Sequence, residues 1–222
     1  MKRITIQLIT LLFLTLGLSA IARADAVMDE VSTFRAQWDQ ANFEFKDKAR
    51  EQALEKLTQE AHAISMAHPG RAEPLIWEAI ALSSYAGAKG GLGALGLVKQ
   101  ARDLLLQAEK IDPNSLDGSI YTSLGSLYYQ VPGWPIGFGD SKKAQEYLQK
   151  ALAIDPNGIE ANYFYGDFLL EKGDYAKATE ALHKAESAPA RPDRPVADAG
   201  RHKQIEQLLA KAEDKAKQGS LW

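Results

Sequence analysis

The sequence predicts an all-α protein, a right-handed solenoid of paired helices closed by a C-terminal capping helix. Three observations carry this. A pattern of Ala, Leu and Ala with a following Pro recurs three times. Each copy follows a second helical segment with a small residue at its centre. The composition over 222 residues, 45% hydrophobic and 25% charged, is that of a globular chain, and no convincing strand pattern occurs.

The recurring stretches are "ARDLLLQAEKIDPN" from Ala101, "AQEYLQKALAIDPN" from Ala144 and "ATEALHKAESAPAR" from Ala178. In each, a Leu follows the leading Ala by four residues (Leu105, Leu148, Leu182), and an Ala follows three later (Ala108, Ala151, Ala185). Pro113 and Pro156 stand twelve residues after the leading Ala, and Pro189 stands eleven after it. The preceding segments share the spacing i, i+3, i+4, i+7, which marks one helix face. They read Trp77, Ile80, Ala81, Ser84; then Tyr121, Leu124, Gly125, Tyr128; then Asn162, Tyr165, Gly166, Leu169. A small residue at the third of these positions lets the paired helix approach closely. A generic bundle could share such Ala spacing by coincidence, but three copies in phase argue against that.

The pattern resembles the tetratricopeptide repeat, W-x2-L-G-x2-Y followed by A-x3-F and Pro. The resemblance covers residues 74–190, with repeats at about 74–113, 118–156 and 159–190. Residues 27–68 read as a degenerate leading pair of amphipathic helices, ended by Pro69. Residues 196–218 read as an amphipathic helix with Ile205, Leu208 and Leu209 on one face, the polar-backed cap that a solenoid requires. "SAPARPDRP" is a short Pro-rich connector. Residues 25–222 are thus expected to form a single domain.

Residues 1–24 are expected to be a secretory signal peptide. Lys2 and Arg3 precede an apolar stretch from Ile4 to Leu18, and Ala22-Arg23-Ala24 offers a small-x-small cleavage site. A membrane anchor is the competing reading, but the apolar run is short for a span. With no Cys there is neither a lipoprotein anchor residue nor a disulfide. Cleavage leaves 23 basic against 29 acidic residues, a net charge of −6, which argues against nucleic acid or anionic lipid as the main partner. The expected location is the periplasm.

Two connections between paired helices exceed the motif. Gly166 to Ala178 is twelve residues, but Gly125 to Ala144 is nineteen and Ala81 to Ala101 is twenty. The extra segments are "QVPGWPIGFGD", residues 130–140, and "AGAKGGLGALGL", residues 86–97. Insertions in repeats fall on one edge, often the binding edge, so both are expected as enlarged neighbouring loops. Trp134, Ile136 and Phe138 either form a binding lip there or fold back as a plug. Asp140 or Ser141 is expected to cap the helix that follows. By phase, the concave face should present Glu78, Leu82 and Tyr85; Ser119, Thr122, Ser126 and Tyr129; and Glu160, Tyr163, Asp167 and Leu170. The tyrosines Tyr85, Tyr129 and Tyr163, with Asp167, are candidate groove residues; the alternative is packing between repeats.

Catalytic and cofactor signatures are missing. "GLGALG", residues 91–96, matches the dinucleotide fingerprint by letter, but a helix rather than a strand precedes it. His62 and His68 are six residues apart, and no H-E-x-x-H or G-x-S-x-G motif occurs. No enzyme, metal or cofactor is expected.

Gly90-Gly91 and residues 132–144, "PGWPIGFGDSKKA", also resemble the T-component proteins associated with TRAP-type transporters. That resemblance implies a periplasmic helical-repeat protein that partners a substrate-binding protein and encloses a small apolar ligand. The chain lacks the lipoprotein Cys of some members and is short for the group, so tethering, trimer formation and a through-channel do not carry over. The expected function is a non-enzymatic periplasmic adaptor binding a protein or peptide. The alternative is a carrier of a small apolar ligand held under the Trp134/Phe138 loop.

Overall fold

The computed structural model describes residues 26–219. The leader read at residues 1–24 lies outside the described residues. Helix α1 covers residues 26–43. It is followed by α2 (Asp47–Ala67), α3 (Ala72–Lys89), α4 (Ala94–Ile111), α5 (Ser119–Gln130) and α6 (Ser141–Ile154). Then come α7 (Ile159–Glu171), α8 (Tyr175–Glu186) and α9 (Pro195–Gly219). Among the described residues no β-strand forms, only an isolated bridge between Gly133 and Gly139.

The recurring residues are what hold each pair together. Ala101, Leu105 and Ala108 of α4 are fully buried, as are Ala144, Leu148 and Ala151 of α6, and Ala178, Leu182 and Ala185 of α8. The small central residues set the helix separation. A Cβ on Gly125 would lie 2.6 Å from Leu148 Cγ, and one on Gly166 would lie 2.7 Å from Leu182 Cγ. Any side chain there would force the pair apart, an overpacking cost of roughly 1–3 kcal/mol. Successive pairs then stack, α5 against α3 and α7 against α5.

The leading pair builds a second core. Phe34 and Trp38 of α1 meet Trp77 of α3 edge to face, with ring centroids 6.1 and 5.6 Å apart. Leu54, Leu57, Ala61 and Ile64 of α2 complete this core against α3. At the other end Ile205 and Leu209 of α9 cover Ile159, Leu182 and Ala185.

The two ends of the solenoid also meet each other. Arg194, just before α9, binds both carboxylate oxygens of Asp39 on α1, through Nε at 3.1 Å and Nη2. Arg35 Nη2 lies 2.6 Å from Asp193 Oδ2. Gly200 of α9 sits so close to Phe43 that a Cβ would fall 2.2 Å from its ring. The cap therefore touches the first helix as well as the last repeat.

The two insertions take different forms, and one departs from expectation. Residues 131–140 are a loop between α5 and α6. Residues 86–97 are not. Relative to the third repeat, three of the eight extra residues lengthen α3, four lengthen α4, and one lengthens the turn, which runs only from Gly90 to Gly93. Buried Ala86 and Val98 explain this, since packing rewards continued helix and outweighs the Gly87 and Gly96 penalty. With a helix before it and no strand among the described residues, "GLGALG" lacks the strand–turn–helix setting that a dinucleotide loop needs.

Candidate functional site

Two surfaces stand out, the loop edge and the concave face. The 131–140 loop is fixed by its own backbone. Ile136 N and Gly137 N both donate to Gly133 O at 3.1 Å, Gly139 N donates to Pro132 O at 3.0 Å, and Asp140 N donates to Tyr128 O at 2.8 Å. The Trp134–Pro135 peptide is cis. Asp140 Oδ1 accepts from Lys142 N and Lys143 N at 2.9 and 3.1 Å, which caps α6 as expected.

This loop divides the predicted trio. Phe138 folds inward, edge to face with Tyr128 at 5.4 Å, with the Arg102 guanidinium 4.6 Å from its ring. Trp134 and Ile136 point outward, 90% and 58% exposed. Leu92, in the neighbouring turn, is 82% exposed. Phe138 is thus the plug, while Trp134 covers nothing.

The predicted tyrosines are also divided. Tyr85 is buried; its hydroxyl donates to Glu55 Oε1 at 2.6 Å and accepts from Lys89 Nζ at 3.1 Å, tying α3 to α2. Tyr129 donates to Asp167 Oδ2 at 2.7 Å, joining α5 to α7. Burial, and then the Asp167 charge, push its phenol well above the ordinary value. Tyr163 is half-buried, with the Arg201 guanidinium 4.1 Å from its ring. Of these four predicted residues, Tyr163 lines a cavity of about 300 Å³ in the concave face.

The cavity's polar floor comes from Ser119, Thr122, Ser123 and Ser126 of α5, with Ser83 and Ser84 of α3. Phase predicted Ser119, Thr122 and Ser126 of α5, though not Ser123, and Glu160 and Tyr163 of α7. It failed for α3, whose Glu78, Leu82 and Tyr85 are buried instead. The leading pair is the reason. It occupies that face of α3, with Glu78 bonded to His62 and Ser65 of α2, which rotates Ile80, Ser83 and Ser84 toward the cavity. In the Ser65–Glu78–His62 set the carboxylate lies between the other two, so the imidazole does not touch the hydroxyl as a general base would have to.

Most floor hydroxyls are spent on backbone carbonyls close by in the chain. Ser83, Ser84, Ser119, Thr122 and Ser126 each donate to a carbonyl three or four residues back. The strong donors are guanidinium groups from Arg50, Arg194 and Arg201, beside an aromatic wall that includes Trp38 and Trp77. Burial alone would push the Glu160 carboxyl up, but Arg201, Arg191 and Arg194 overcome it and hold the group below the ordinary carboxylate range. Burial lowers the Arg50 guanidinium from its usual value, and no charge offsets it. None of these arginines was singled out from the sequence. Arg194 sits in the Pro-rich connector and Arg50 on the leading pair, where a charged residue usually means a solvated face.

Residues 136–194 match the family description Tetratricopeptide repeat. Among solved structures, a thermophilic TPR protein of Thermus thermophilus is similar with a TM-score of 0.53 and 17% identity, over 73% of this chain and 79% of that one. The crystal structure of MamA gives a TM-score of 0.43 and 19% identity, over 80% of this chain and 99% of that one. No curated protein matches the sequence. Residues 136–194 thus match the tetratricopeptide repeat, and the described helices stack in pairs as an all-α solenoid with the fold of such repeat proteins.

Proposed function

We propose that this protein is an exported, non-enzymatic adaptor that binds a protein partner along its loop edge. The observation that carries the reading is Trp134, an indole 90% exposed on a loop whose backbone is hydrogen-bonded in place. Large aromatic side chains held rigidly in solvent are the anchors from which interfaces draw most of their energy. Ile136 and Leu92 add exposed apolar surface on the loops of adjacent repeats. Repeat solenoids present extended surfaces to partners, which fits the same role.

Export is supported by the leader pattern of residues 1–24. The resemblance of Gly90-Gly91 and residues 132–144 to T-components supports a finer reading, in which the partner is a periplasmic substrate-binding protein of a TRAP-type transporter. The apolar-carrier alternative finds less support. Phe138, which would close over the ligand, is already packed between Tyr128 and Arg102.

The test replaces Trp134 with a photo-crosslinking amino acid in producing cells, with Met66 of α2, 69% exposed, as the control position. One defined protein adduct is expected at 134 and none at 66. No adduct at 134, or the same adducts at both, would remove the edge as the binding surface. N-terminal sequencing of the purified protein checks export, with Asp25 as the expected first residue.

A further inference from the structure

The charges lining the concave cavity do not cancel. Arg194 is paired with Asp39, and Arg201 Nη2 lies 2.6 Å from Glu160 Oε2. Arg50 has no ion pair among the described residues; its donors go to Asn42, to Oδ1 at 2.7 Å and to the backbone O at 3.3 Å. A neutral amide satisfies hydrogen bonds but leaves the charge. A half-buried guanidinium with no counter-charge carries a desolvation cost that an entering anion would offset.

We propose that this cavity binds a small organic monocarboxylate, whose carboxylate is taken by Arg50 and whose apolar body lies against Trp38 and Trp77. The charge count sets the head group. With two of three guanidinium groups neutralised, one positive charge remains, which a carboxylate matches. A phosphate monoester, with a charge of about −1.5 to −2, would overshoot it. Asn42 engages the Nε side of the Arg50 guanidinium, and the Nη1–Nη2 end can still take both oxygens of a carboxylate in plane. The size fits as well, since about 300 Å³ is the lower end of small-molecule sites. The floor selects against ligands that depend on hydroxyl donors, because most of those donors are engaged. This site is separate from the loop edge, so it stands or falls independently of the adaptor reading.

The experiment is calorimetric titration of the purified protein with benzoate and hexanoate, a planar and a flexible monocarboxylate. Benzamide and phenyl phosphate serve as the neutral and more highly charged counterparts. At least one monocarboxylate is expected to bind, and Arg50→Met to weaken it by about tenfold or more with unchanged helical circular dichroism. Should Arg50→Met perturb the fold, Gly87→Leu provides a second arm. A Cβ on Gly87, which lines the cavity, meets nothing within 4 Å, so Leu would fill the space without removing a charge. It should weaken binding at least as much. The proposal is overturned if neither monocarboxylate binds, if benzamide binds as well as benzoate, if phenyl phosphate binds better, or if a folded variant binds like the wild type.

Discussion

The insertions at residues 86–97 and 130–140 are nearly equal in length and occupy equivalent places in adjacent repeats, yet one became helix and the other loop. Pro132 and Pro135 decide the second case. Neither can donate a backbone hydrogen bond, and each disfavours helix in the residue before it. The first insertion contains no Pro, and its Ala and Leu residues can continue both helices. Eight extra residues come close to two helical turns, so one added turn on each helix keeps the pair in register. Glycine is abundant in both segments and means something different in each. In the loop it permits backbone contact; in the long pair it is a tolerated interruption.

That contrast can be broken by substitutions of like kind at unlike sites. The largest effect is expected from Gly139→Ala, because its Cβ would fall 1.9 Å from Val131 O. A loss of about 3 kcal/mol in chemical denaturation is expected. Asp140→Ala removes the two-donor cap of α6 and should cost about 1 kcal/mol by the same measurement. Gly87→Ala should move stability the other way, up by roughly 0.5–1 kcal/mol, since the helix gains and nothing is in the way. If Gly139→Ala and Gly87→Ala shift the midpoint in the same direction, the contrast fails. The smallest effect is expected from Trp134→Ala, within about 0.5 kcal/mol of wild type, because the exposed indole packs on nothing that unfolding would lose. A larger loss would make Trp134 part of the plug with Phe138.

The frame of paired helices was legible because Ala144, Leu148 and Ala151 and their counterparts repeat a contact, and the contact repeats with them. The outward half of the 131–140 loop was legible as two alternatives, lip or plug, and the structure makes Phe138 the plug and leaves Trp134 exposed. The long first pair was misread because Gly87 and Gly96 carry a local turn signal that burial of Ala86 and Val98 overrides. The concave cavity was half legible. Ser119, Thr122, Ser126, Glu160 and Tyr163 follow from periodicity, but Arg50, Arg194 and Arg201 reach it only through tertiary closure. The Asp39–Arg194 pair joins residues 155 apart, and no local pattern announces it.

That pair changes how the molecule should come apart. A linear array of repeats holds each unit only through its neighbours, so its outermost helices fray first, each at its own low free energy. Here the first helix meets the last helix and the connector that leads into it, through Phe43–Gly200, Asp39–Arg194 and Arg35–Asp193. The array behaves as a ring with respect to contacts. Neither end can peel away without breaking the contact that holds the other, and amide exchange in α1 and in the first turns of α9 becomes tied to opening of the whole domain.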